Sequence, residues 1–258
     1  MLDDRTQSIS ERAEAEQSNV NRHLELLGDT YDLTSRIENL YASLPSTCRF
    51  PLDAANSDAT HAASVSIYLI ALCHREVTIE MHSLLRGYRN DSLFHRRRAI
   101  ELCAYAAKMK RHPAFSRIWL NSGGSEEKRE KFRQKFTKLF PADDPDLTFL
   151  SSAFEEASRA MHNSLTAIAH YFTIERMEEF PKVNLFDITH PAMLVATFLQ
   201  AMACHLVMIR VFRGALGGYV VNGAGWEREF NSARSFLDEK GPQWVPMIKA
   251  AKAALGKP

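Results

Sequence analysis

Apolar residues recur three and four apart almost throughout this chain while strict alternation is scarce, which commits its backbone to helices rather than strands. The clearest case is Leu150, Phe154, Ala157, Met161, Leu165, Ile168 and Phe172, a stripe that another element must cover. A narrower stripe of Val20, Leu24, Leu27, Tyr31, Ile37, Tyr41 and Leu44 predicts a first helix over 20–44, with 1–19 as a flexible tail. Ser57 or Asp58 caps the next helix, which carries Ile70, His74, Val77, Met81, Leu84 and Leu85 on one face and ends near Gly87. Asn90 or Asp91 can then cap a helix that reaches Arg111, where His112-Pro113 stops it. Residues 62–111 thus read as a long antiparallel helical hairpin.

Further on, Ser125 opens a charged helix to Leu139, and Pro141 and Pro145 precede the helix of the cleanest stripe. The run 173–188 lacks helical period and predicts a small non-helical insertion, a loop or a hairpin around Pro181 and Asn184. Pro191 starts an apolar helix that reaches Leu216, Gly217-Gly218 ends it, and two terminal helices within 225–258 are expected to cap the bundle. The fold class is therefore all-α: one multi-helix bundle over 1–258, built on the hairpin.

With 45% hydrophobic and 24% charged residues in 258, the chain has the balance of a folded globular protein rather than a disordered one. Its four cysteines are far apart with no C-x-x-C pair, which points to buried thiols and a reducing compartment. The N-terminus lacks the basic start and apolar run of a secretory signal, so a cytoplasmic location is expected. Residues 192–209 approach the length of a membrane span, but Gln200 and His205 interrupt them, and a central bundle helix is equally apolar. No membrane association is expected. Without H-E-x-x-H, a Cys/His cluster, a P-loop, G-x-G-x-x-G or G-x-S-x-G, the sequence supports no metal site and no cofactor.

The near-neutral total hides an asymmetry. From Arg86 to Lys138 there are fifteen Lys or Arg against five acids, a local excess of ten, whereas the whole chain is +1, so everything outside sums to −9. One region can attract an anionic partner while the rest does not. Arg86, Arg96 and Arg98 are expected to be exposed and available to phosphate. Arg97 and Glu101, four apart and bordering the stripe Leu93, Ile100, Ala104 and Ala107, are expected to form a structural ion pair.

Within this stretch, Arg89-Asn90-Asp91-Ser92-Leu93-Phe94-His95 resembles the Arg-polar-x(4 to 6)-His motif of the HEPN superfamily, helical nucleotide-handling domains that include metal-independent ribonucleases of toxin and phage-defence systems. In that family the Arg and His commonly meet their counterparts across a dimer. The resemblance assigns Arg89 to phosphate charge, His95 to proton transfer at the ribose 2′-hydroxyl and Asn90 to orientation, and it implies RNA as ligand and a homo-oligomer. Residues six apart on an unbroken helix point about 120° away from each other. The motif can therefore converge only if the helix begins between them or if two protomers supply the groups. Leu85-Arg86-Gly87, Asp91-Ser92-Leu93 and Arg97-x-x-x-Glu101 also resemble a set of uncharacterised bacterial helical proteins with an L-R-x-G-x-x-x-D-A-L-x-x-x-R-x-x-x-E pattern, and no settled activity comes with that likeness.

A further polar track, Glu155, Arg159, His162, Thr166 and His170, shares one side of the later helix and could place a general acid or base, although a solvated helix edge has the same spacing. The Phe residues of 126–140 sit among cations, which suits RNA stacking or an inward-packed amphipathic face. On these grounds the sequence predicts a non-catalytic protein that binds an acidic protein partner or another copy of itself. The alternative is an HEPN-like ribonuclease or RNA-binding protein.

Overall fold

Helix forms earlier than the first stripe suggests. The computed structural model describes residues 9–50, 57–161, 172–173, 182–183 and 190–255. It opens on helix α1 (Ile9–Leu27), a 3-10 turn (Gly28–Tyr31) and helix α2 (Asp32–Ser43), so the helix expected over 20–44 is in fact two. Gly28 sits at φ 51°, a left-handed conformation that costs glycine little, and the path breaks there. The tail expected over 1–19 is corrected from residue 9 onward, because α1 is needed elsewhere in the fold.

Helix α3 (Asp58–Arg86) starts where Ser57 accepts a hydrogen bond from the Thr60 amide at 3.1 Å, and it ends at Gly87 in the left-handed region with φ 100°. Helix α4 (Arg89–Arg111) returns antiparallel along it. Neither Asn90 nor Asp91 caps α4: the helix begins at Arg89 with Tyr88 in the cap position, so both lie inside its first turn. Helix α1 clamps this hairpin turn. Asn19 Nδ2 donates to the Arg86 carbonyl at 3.0 Å and the buried His23 ring to the Leu85 carbonyl at 2.7 Å, satisfying two carbonyls that the end of α3 leaves open. Tyr88 Oη donates to Glu16 at 2.7 Å and accepts from Arg12 at 2.8 Å.

Beyond the hairpin come helix α5 (Phe115–Leu120), helix α6 (Glu126–Lys135) and helix α7 (Pro145–Met161). Helix α6 stops short of the expected Leu139, because Phe136 turns inward to meet Tyr105 and Phe115. Of the long stripe, Leu150 and Ala157 are fully buried in α7; Leu165 and Ile168 lie outside the described residues. Strands β1 (Phe172–Thr173) and β2 (Lys182–Val183) pair antiparallel over two residues each, a small non-helical element where one was expected.

His190 caps helix α8 (Pro191–Leu216) by accepting from the Ala192 amide at 3.1 Å, and Pro191 pre-sets its first turn. Helix α8 is central, touching α2, α3, α4 and α7, and its Leu194, Phe198, Met202, Ile209 and Phe212 are completely covered. Helices α9 (Gly223–Lys240) and α10 (Val245–Leu255) close one side, where Trp226 donates its indole N–H to the Leu40 carbonyl at 3.1 Å. By length and composition both α3 and α8 could cross a membrane, so α3 joins 192–209 as a candidate. Half of the α3 window and 67% of the α8 window are buried by the bundle itself, the apolarity that a core helix requires.

Candidate functional site

Helix α4 carries the residues that the sequence singles out, and because it is unbroken from Arg89 it sends them in different directions. Arg89 turns toward α7 and α8: its Nε donates to Thr197 Oγ1 at 3.3 Å, and its guanidinium lies 3.6 Å from Glu156. His95 turns toward α3, where Nδ1 stands 2.6 Å from a Glu76 carboxylate oxygen. Asn90 is buried, about 100° round the helix from Arg89 and on the side away from His95. Within one protomer the structure does not bring Arg89, Asn90 and His95 together.

His95 instead joins two groups that the motif did not include. Glu76 is 4% exposed and fixes the imidazole through Nδ1, while the other carboxylate oxygen lies 3.7 Å from Arg98, whose guanidinium also covers the Phe94 ring at 5.7 Å. A carboxylate that holds Nδ1 sets the tautomer and orientation of the ring, and Nε2 is then the nitrogen that can exchange a proton. Glu76 lies outside the motif, between two histidines, His74 and His82, on the preceding helix. What marks it is its place on the buried face of α3, next to Cys73, Val77 and Glu80.

Arg96, expected at the surface, is 1% exposed and anchors a buried polar network. Its Nε donates to Glu80 at 2.7 Å, and its two terminal nitrogens donate to Gln200 Oε1 at 3.0 Å and to the Thr197 carbonyl at 2.9 Å. Glu80, at 0% exposure, shares its second oxygen with His205 Nε2 at 3.0 Å. Beyond His205 come Tyr41 and then Cys73, whose thiol donates to the Tyr41 hydroxyl at 3.4 Å. On the other side Gln200 donates to Glu156, the partner of Arg89. Burial is the strongest single influence on Glu80 and would push its carboxyl up, but the charges of Arg96 and His205 and their hydrogen bonds together outweigh it and hold the group below its usual range. Arg96 mirrors this: burial opposes its charge, and Glu80 more than offsets that opposition.

The expected Arg97–Glu101 pair is absent among the described ion pairs. Arg97 donates to Ser158 Oγ at 3.0 Å and stacks over Phe154 at 4.9 Å, whereas Glu101 accepts from the Tyr105 hydroxyl at 2.7 Å. Each therefore satisfies itself with a different neighbour. Glu155 and Arg159 are exposed on α7, with Arg159 Nε reaching the Glu155 carbonyl at 3.4 Å. His162, Thr166 and His170 lie outside the described residues. Among the described residues no group of three or more His, Cys, Asp or Glu is placed to hold a metal.

Folding redistributes the basic stretch. Five of its cations meet carboxylates from outside it: Arg86 with Glu16, Arg89 with Glu156, Arg96 with Glu80, Arg98 with Glu76 and Arg117 with Asp58. Arg129 and Arg133 pair with Glu126 and Glu130 along α6. Lys108, Lys110, Arg111, Lys128, Lys131, Lys135 and Lys138 have no carboxylate partner among the described residues, and they belong to the last turn of α4, to α6 and to the segment just after α6. Crowding at this end is visible at Lys108, whose ammonium is held below its usual range first by burial and then by the charges of Arg111 and Lys138. The aromatic rings nearby point inward: Phe132 and Phe136 pack on Tyr105 with centroids 5.6 and 5.3 Å away, and Phe115 completes the cluster. No family model matches the chain, and no curated protein and no solved structure matches it.

Proposed function

We propose that this chain is a non-catalytic helical binding protein that takes an acidic protein partner on the basic end formed by the last turn of α4 and by α6. The observation that carries this reading is the set of seven cations gathered there without carboxylates, whereas seven others of the stretch are paired with acids and Arg97 is held by Ser158 and Phe154. Six of the seven are Lys, compact point charges suited to carboxylates without the planar, two-bond demands of Arg. The inward aromatic cluster favours protein over RNA, because single-stranded RNA binding draws much of its energy from bases stacked on exposed rings. A second copy of this chain belongs to the same class of partner, since everything outside the basic stretch is net acidic. Four free, buried thiols support a reducing, cytoplasmic setting.

The test is a titration of a fluorescent Glu-rich peptide and of a single-stranded RNA of equal charge against the protein, with light scattering to read self-association. The peptide is expected to bind, to weaken as salt rises from about 50 to about 300 mM, and to bind less to Lys131→Glu and Lys135→Glu. Equal or tighter binding of the RNA refutes the choice of partner. Indifference to both substitutions refutes the surface.

The His95–Glu76 pair favours a second reading, an HEPN-like metal-independent ribonuclease. Here His95, oriented by Glu76, takes the 2′-hydroxyl proton and Arg98 neutralises the phosphate. Cleavage of RNA in chelator, lost in His95→Ala, supports it; unchanged cleavage in that variant removes the mechanism.

A further inference from the structure

Between α5 and α6 lies a pocket of about 380 Å3 lined by Arg117, Ile118, Asn121, Lys128 and Lys131. Three of its five walls are cationic and none is acidic. Arg117 has Asp58 as a counter-ion, but Lys128 and Lys131 have none among the described residues; like charges that converge repel, so the arrangement gains from an anion between them. Its volume falls at the small end of the range for small-molecule sites, which suits a phosphate with the atoms that carry it rather than a large cofactor.

Local geometry shows how the pocket is held. Arg117 Nε donates to Asp58 at 2.8 Å, which steers the guanidinium, and the terminal nitrogens have no partner among the described residues. Asn121 Nδ2 donates to the Arg117 carbonyl at 2.7 Å, so its amide plane is set and its Oδ1 can accept from a protonated ligand oxygen or a peptide N–H. Gly124 closes the turn with its amide on the Asn121 carbonyl at 3.0 Å. A Cβ at Gly124 would lie 2.8 Å from Lys128 Cδ, so the missing side chain lets the lysine stem fold back over the turn. Lys128 and Lys131, three apart, share one side of α6, whereas Glu126, Arg129, Glu130 and Arg133 pair among themselves.

We propose that this pocket binds a phosphomonoester dianion, carried on the acidic partner as a phosphorylated side chain or arriving as a free small phosphate. The proposal rests on the reading of the basic end as the binding surface and names the chemistry of one site within it. Two lysines and a guanidinium offer the charge-assisted donors that a dianion with three terminal oxygens accepts, and a single carboxylate would leave part of that capacity unused.

The experiment compares one fluorescent acidic peptide in three forms, with serine, phosphoserine or glutamate at its centre, against wild type, Lys131→Ala, Gly124→Ala and Lys138→Ala. Inorganic phosphate alone is titrated in parallel and followed by amide NMR shifts at 117–131. The phosphoserine form is expected to bind at least about tenfold tighter than the other two. That advantage is expected to vanish in Lys131→Ala and to shrink in Gly124→Ala, while Lys138→Ala weakens all three forms alike. Saturation by inorganic phosphate, abolished in Lys131→Ala, assigns the site to a free phosphate; a response to the phosphopeptide alone assigns it to a modified partner. If the three peptides bind equally and phosphate moves no amide, the pocket proposal is overturned while the basic-end reading stands. If no peptide binds but phosphate does, the basic-end reading falls and the pocket stands.

Discussion

Arg96→Met is the sharpest probe of the buried network. Methionine fills most of the volume of the arginine stem, so the substitution removes charge and hydrogen bonds without opening a large cavity. It strands the carboxylate of Glu80, which at 0% exposure can recruit no water and keeps only His205, and it leaves Gln200 Oε1 and the Thr197 carbonyl without their donor. Removing one partner of a buried ion pair costs about 3–5 kcal/mol, against a total stability for folded domains of about 5–15 kcal/mol. At an m-value of about 3 kcal/mol/M in urea, the midpoint should fall by about 1–1.7 M. The double variant Arg96→Met with Glu80→Gln removes the stranded charge while keeping a hydrogen-bonding side chain for His205, and should recover at least half of the loss. Urea unfolding followed by circular dichroism measures both. A loss below about 1 kcal/mol in the single variant would show that Arg96 reaches solvent and that the network is not what holds α3, α4 and α8 together.

Glu80 predicts a pH dependence. Its carboxyl is held below its ordinary value of 4.5 in the folded state, so its stabilising contribution is fully present above about that pH and is lost as pH falls through the lower, folded value. Unfolding curves between pH 3 and 6, both rough bounds set by that range, should show a flatter acid limb in Glu80→Gln, and identical limbs would refute the assignment. Lys138 is the one non-glycine residue at positive φ among those described, at 51°. Relieving that conformation in Lys138→Gly should stabilise the protein by about 0.5–1 kcal/mol, while the lost cation weakens peptide binding. Binding weakened together with lower stability would contradict this account. Burial pushes the Cys73 and Cys204 thiols up to about 12, so neither should react with a thiol reagent at pH 8 until the protein unfolds.

The hairpin was legible because its punctuation is local: Ser57 at one end, Gly87 at the turn and His112-Pro113 at the other end each act through their own backbone. The directions of the charged side chains were not legible from a count. Arg96, Arg97 and Arg98 are consecutive, and consecutive helical residues point about 100° apart. One therefore enters the core, one lies against Ser158 and Phe154 of α7, and one covers Phe94 at the surface. A finer signal did exist. Glu76 and Glu80 interrupt the apolar face of α3 four residues apart, and Arg96 interrupts the face of α4 that holds Leu93 and Ile100. Opposite charges that break facing stripes of one hairpin are placed to be buried against each other, as Arg96 and Glu80 are, while Glu76 meets His95 and Arg98 nearer the surface.

Neutralisation along the basic stretch is uneven, and the unevenness links fold to partner. Near the hairpin turn, Glu16 of α1, Glu76 and Glu80 of α3 and Glu156 of α7 each meet an arginine, so that half of α4 faces the bundle as a network with little charge to offer. Toward the other end α4 meets α5, the aromatic rings and the cations of α6, and the ion pair with an outside carboxylate described there is that of Arg117 with Asp58 of α3. That carboxylate holds the Arg117 of the α5–α6 pocket. A whole-chain charge of +1 and a local excess of ten both misstate what a partner meets. The relevant quantity is the charge that folding leaves unpaired, and here it collects on the last turn of α4, along α6 and just after it.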